Sequence, residues 1–112
     1  MKLRTDAIGH FDMPTEDNIR AAFASSVNGD LIKLMSDDEH YLSIWFGQPS
    51  IGHSLTFKSG PWKLDCAQKQ SSEMVVNLML KYLLGDLLPL KKLQWNRPLD
   101  QVFLDNIGKL QE

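Results

Sequence analysis

The sequence predicts an α+β domain, a four-stranded antiparallel meander with helices packed on one face. Four short apolar-rich runs follow one another between Leu31 and Cys66, divided by turn-forming clusters. Apolar residues recur at helical spacing on both sides of those runs. The connections between the runs are too short for crossovers, so neighbouring strands pair antiparallel. Strands flanked by helices argue against a βαβ parallel sheet. A length of 112 residues fits a single domain, 1–112, with one core.

Each element has its own signal. Ile8–Asp12 is short enough for an edge strand. The first helix spans Thr15–Ser26: Thr15 suits the N-cap, and Glu16 and Asp17 place negative charge at the positive end of the helix dipole. Ile19, Ala22, Phe23 and Val27 form its apolar face, and Asn28-Gly29 stops it. Leu31–Met35 is an apolar strand ending in the charged turn Ser36-Asp37-Asp38-Glu39. Tyr41–Phe46 alternates, with Leu42, Ile44 and Phe46 on one face and Tyr41, Ser43 and Trp45 on the other. Gly47–Gly52 is a loop, Ser54–Lys58 alternates again, Ser59-Gly60-Pro61 turns the chain, and Trp62–Cys66 points Trp62, Leu64 and Cys66 inward.

The second helix starts at Ser71-Ser72 and is apolar on most sides, from Met74 to Leu84, with Glu73, Asn77 and Lys81 as a narrow polar stripe. It is the central helix across the sheet, stopped at Gly85. Leu87–Trp95 holds no single period, because Pro89 breaks a helix, and is open between loop and a short added strand at Lys91–Trp95. Pro98 opens a third helix, with Leu99, Val102, Phe103, Ile107 and Leu110 at helical spacing.

Composition excludes several classes. An apolar content of 43% with 23% charged residues is that of a globular chain, not a disordered or collagen-like one. The single cysteine, Cys66, cannot form an internal disulfide, which fits a reducing compartment. No signal-like run follows Met1, and the most apolar stretch, Met74–Leu90, is interrupted by Asn77, Lys81, Asp86 and Pro89. The expectation is a cytoplasmic protein without membrane contact. A net charge of -2 gives no footprint for nucleic acid.

Catalytic and metal patterns are weak. His10, His40 and His53 have no metal-ligand spacing, and Cys66 has no second cysteine to join it. Asp37-Asp38-Glu39-His40 lacks the alternating ligands and glycine of a calcium loop. No phosphate loop and no Gly-x-Ser-x-Gly pattern occurs. The expectation is therefore no enzyme, no metal and no cofactor.

Two features point to binding instead. Tyr41 and Trp45 share the face opposite the oily side of their strand. They are either partner anchors or are covered by a third layer such as the last helix. Charge is also uneven, with -4 over residues 1–50 and +2 over residues 51–112. The acidic excess, which includes Asp37, Asp38 and Glu39, is either a set of solvated turns and helix ends or a rim for a basic partner.

The segment Val75–Trp95 resembles the C-terminal signature of bacterial immunity proteins that protect against polymorphic or contact-dependent toxins: an apolar helix, an aromatic near its end, Gly, Pro, then an apolar residue shortly before Trp. Those positions fall on Tyr82, Gly85, Pro89, Leu93 and Trp95. The resemblance implies a cytoplasmic, non-catalytic protein that neutralises a cognate toxin by occlusion, with the matching residues acting as scaffold. It transfers no contact residue. From the sequence pattern, the partner-binding surface is Tyr41 and Trp45 at the centre with Asp37, Asp38 and Glu39 at the edge, facing a basic toxin domain. A small enzyme or small-molecule-binding domain using a cleft near Tyr41, Trp45 and His53, and an accessory protein of a phage or secretion assembly, remain as alternatives.

Overall fold

The computed structural model describes residues 1–48 and 50–96; the third helix expected from Pro98 lies outside them. The elements run β1 (Lys2–Thr5), β2 (Gly9–Phe11), α1 (Glu16–Ser25), β3 (Leu31–Asp37), β4 (His40–Trp45), β5 (Ser54–Ser59), β6 (Trp62–Asp65), α2 (Ser72–Leu83) and a 3₁₀ turn at Leu88–Lys92. All six strands form one antiparallel sheet in the order β2-β1-β3-β4-β5-β6.

The α+β class and the antiparallel β3–β6 meander match the sequence reading, but the sheet has six strands rather than four. The edge strand expected near Ile8–Asp12 is β2, and β1 is the addition. Its four residues alternate exposed and buried, with Leu3 and Thr5 inward. So short a run, half of it Lys and Arg, gives no apolar period to read. Because β2 and β3 both run antiparallel to β1, they are parallel to each other, and the connection between them must cross over β1. Helix α1 makes that crossover.

Helix α1 begins as its cap predicts. Thr15 Oγ1 accepts the Asn18 N–H at 3.2 Å, and Asn18 Oδ1 accepts the Thr15 N–H at 2.9 Å, closing a capping box. The helix ends at Ser25, before Asn28-Gly29, so Val27 lies beyond it and is exposed. Ser71 caps α2 by accepting the Met74 N–H. At the other end the Gly85 N–H donates to Tyr82 O and the Asp86 N–H to Lys81 O, the paired bonds of a Schellman stop.

Both helices pack on one face. Ile19 and Ala22 of α1 and Val75, Leu78, Met79 and Tyr82 of α2 join Leu3, Ile32, Leu34, Leu42, Ile44, Phe46, Leu55, Phe57 and Leu64 in a single core. The register aligns Phe11, Leu3, Leu34, Leu42, Phe57 and Leu64 in one row across all six strands. Met74 and Leu84, assigned to the apolar side of α2, are instead exposed.

Leu87–Trp95 resolves as the 3₁₀ turn followed by a single bridge from Trp95 to Cys66, rather than an added strand. Trp95 is half-buried; its indole N–H donates to Leu90 O at 3.0 Å and its ring lies 6.4 Å from that of Phe57. Tyr82 meets Phe57 edge-on at 6.2 Å, and burial pushes its phenol up to about 12, leaving it neutral.

Candidate functional site: the outer face of the sheet

Side chains alternate along strands, so the face opposite the helices is built from the residues between the core positions. The register lays them out in rows. One row reads Lys2, Met35, Tyr41, Lys58, Lys63; the next reads His10, Arg4, Lys33, Ser43, Thr56, Asp65; a third reads Leu31, Trp45, Ser54. Among the described residues no helix lies over this face, since the buried positions of α1 and α2 all belong to the core on the other side.

Tyr41 and Trp45 share this face, as their spacing predicted, but they differ in exposure. Trp45 is 52% exposed, whereas Tyr41 is 9% exposed. Lys33 Nζ sits 3.9 Å from the Tyr41 ring centroid, so a cation already occupies one ring face. Leu31, Lys33, Tyr41, Ser43, Trp45, Thr56 and Lys63 line a shallow groove of about 190 Å³.

The acidic trio borders one end of the face, far from Trp45: Asp37 and Asp38 line a second groove with Lys2, Arg4 and Met35. Asp37 closes β3, and Asp38 and Glu39 make the β3–β4 turn. Asp37 Oδ1 accepts the Glu39 N–H and the His40 Nδ1–H, both at 2.8 Å, which makes Asp37 a turn-forming residue. The His40 hydrogen bond holds the Asp37 carboxyl below its ordinary value. Glu39 pairs with Lys58. Trp45 is at the opposite end of β4, roughly 20 Å from Glu39 along the strand. Tyr41, and not Trp45, is therefore the aromatic near the acidic turn, and the charged side chains beside the aromatics are mostly cations.

Sequence reasoning missed this because it treated Leu31–Met35 as one apolar run and left Lys33 without a face. The alternation of Trp62–Cys66 leaves Lys63 on the outer side, but only the register sets it beside Lys58 and in the row of Tyr41.

His53, which the small-molecule alternative placed with Tyr41 and Trp45, lies on the helix side. It is 3% exposed and packs on Phe46, ring centroids 4.5 Å apart. Its backbone pairs with Gln70 in both directions, at 2.7 and 2.9 Å. Its Nδ1 accepts the Gly47 N–H at 3.1 Å, so the ring proton sits on Nε2 and donates to Ser72 Oγ at 2.7 Å. A base acting on Ser72 would need its lone pair on Nε2, where this ring holds its proton. The pair is a structural tie between the β4–β5 loop and the start of α2. Burial holds the imidazole below its ordinary value.

Two glycines make that tie fit. A Cβ at Gly47 would stand 2.2 Å from Gly52 O, and Gly52, at φ +103°, would meet Gln70 O at 2.8 Å. Beside the tie is an open cavity of about 350 Å³, lined by Phe23, Val27, Phe46, Gly47, His53 and Ser72 among others.

Cys66 is half-buried and accepts a weak hydrogen bond from Gln70 at 3.4 Å. Among the described residues no group of three or more His, Cys, Asp or Glu could hold a metal ion, and no helix is long and apolar enough to cross a membrane. No family model, curated protein or solved structure matches the chain.

Proposed function

We propose that this is a non-catalytic binding protein, an immunity protein that neutralises a cognate bacterial toxin by occluding it with the outer face of its sheet. The observation that carries this reading is Trp45, a half-exposed indole on a sheet face that neither described helix covers. Tryptophan is the residue most concentrated among interface hot spots, and a rigid sheet presents it without an ordering cost. The resemblance over Val75–Trp95 supplies the toxin-neutralising role. Its residues behave here as scaffold: Tyr82 packs on Phe57, Gly85 ends α2, and Trp95 closes against Leu90. The reading retains a cytoplasmic protein without cofactor.

The test is coexpression with the product of the adjacent reading frame, with growth as the readout and affinity measured on the purified pair. Wild type protects and binds. Trp45→Ala, folded, loses at least about tenfold in affinity by the usual anchor scale. Unchanged binding and protection by that variant would remove the outer face as the surface.

A further inference from the structure

The cavity beside the His53 tie lies on the helix side of the sheet, where the end of α1, the end of β4 and the start of α2 meet. Its volume of about 350 Å³ falls within the range of small-molecule sites, roughly 300–1,000 Å³. The toxin-binding reading above does not use it.

One wall is aromatic. The Phe23 and Phe46 rings stand 5.3 Å apart, and the His53 ring continues the series 4.5 Å from Phe46. Phe46 and His53 are buried, but Phe23 is only half-buried, which leaves ring surface to the cavity. Among the described residues, no Asp, Glu, Lys or Arg lines it. His53 contributes a neutral ring, since its Nδ1 must accept the Gly47 N–H. A charged guest would give up its water there with no counter-charge to replace it.

The cavity also holds hydrogen-bonding groups that the fold leaves unspent. Ser72 Oγ accepts from His53 Nε2, and its own proton has no acceptor among the described residues. The Asn28 carboxamide, on an exposed residue at the same cavity, likewise has no partner among them. Ser26, by contrast, donates its hydroxyl proton to Ala22 O. A hydroxyl donor and a carboxamide are complemented by an acceptor with a donor beside it. A purely apolar guest would strip water from both groups and return no hydrogen bond.

We propose that this cavity binds a small uncharged aromatic molecule with an amide-type edge, a carbonyl beside an N–H. Its ring lies against Phe23 and Phe46, its carbonyl oxygen accepts from the Ser72 hydroxyl, and its N–H donates to the Asn28 carboxamide oxygen. The site is independent of the outer face, because Trp45 stands on the other side of the sheet.

Benzamide is the test molecule, titrated into isotopically labelled protein and followed by NMR. The expected result is saturable shifts of the Phe23, Phe46, Gly47 and Ser72 amides in the millimolar range. Benzoate and benzylammonium should bind at least about fivefold more weakly. Asn28→Ala should weaken benzamide about fivefold, the effect of one neutral hydrogen bond. Ser72→Ala should do the same, and Ser72→Thr, which keeps the hydroxyl, should bind like wild type. Trp45→Ala should leave benzamide binding unchanged even where it abolishes protection in the growth assay, so failure of the immunity reading does not touch this site. Three results would each overturn the inference: no shifts at these amides, either charged analogue binding as tightly as benzamide, or a folded Asn28→Ala protein binding benzamide like wild type.

Discussion

On the inner face, Leu3, Leu34, Leu42, Phe57 and Leu64 stand in one row across five strands, none more than 1% exposed. One residue along each strand, Lys2, Met35, Tyr41, Lys58 and Lys63 make the matching row on the other face. The backbone hydrogen bonds are common to both rows. The inner row gains from removing apolar surface from water, roughly 25 cal/mol per Å². The outer row buries two side chains, Met35 and Tyr41, between lysines, a smaller apolar patch than the inner row's. On the proposed reading, recognition falls to Trp45 on the outer side while most of the stability lies with the inner row, and a substitution should affect mainly one of them.

Phe57→Ala should break that division most severely on the stability side. Phe57 is 1% exposed and touches the rings of both Tyr82 and Trp95. Truncation should cost about 3–5 kcal/mol in urea unfolding. A much smaller loss would mean that the inner row is not the seat of stability.

The His53 tie predicts a pH effect confined to the helix side. Its folded value lies below the ordinary 6.5, so the unfolded chain takes the proton first. Stability is full above about pH 6.5 and falls as the pH drops through the folded value, because an imidazolium could not accept the Gly47 N–H. In His53→Gln a neutral amide can keep both hydrogen bonds, and the urea midpoint should lose less on acidification than that of wild type. Equal losses would assign the acid sensitivity to other groups.

Smaller effects belong to the outer face. Trp45→Ala should cost under about 1 kcal/mol of stability, since the side chain is half-exposed, while weakening partner binding as stated above. Arg4→Gln should stabilise the free protein by about 0.3 kcal/mol through loss of an opposed like charge. A destabilised Arg4→Gln protein would show that the arginine supports the fold and that the opposed pair is not frustrated.

The division also explains what could be read from the sequence. Alternation in Tyr41–Phe46 and Ser54–Lys58 and the helical period of Val75–Tyr82 reveal the core, because burial imposes a period on each element separately. Thr15 and Ser71 mark helix starts for the equally local reason that one side-chain oxygen satisfies a backbone N–H three residues on. The outer face depends on register between strands distant in sequence, such as Arg4 opposite Lys33, which no local period encodes. Trp45 was legible as an outward aromatic; its cationic neighbours were not. His53 looked like a site residue because the chain gives no sign that Gly47, Gln70 and Ser72 enclose it.

The position of β1 bears on how the chain assembles. β1 sits between β2 and β3, and its β3 partners lie 27 to 33 residues downstream, from Thr5 opposite Ile32 to Lys2 opposite Met35. The β1–β2 hairpin is two-stranded and marginal alone, so it must wait while α1 and β3 are made, a few seconds at ribosomal rates. The β3–β4, β4–β5 and β5–β6 pairs close over short turns and can form as soon as each strand exists. In refolding followed by pulsed hydrogen exchange, the amides of Leu42 and Ile44 should therefore gain protection before those of Leu3 and Thr5. That order would make β1, the first of the six strands in the chain, the last to be added, covering the β3 edge that would otherwise template pairing with another chain.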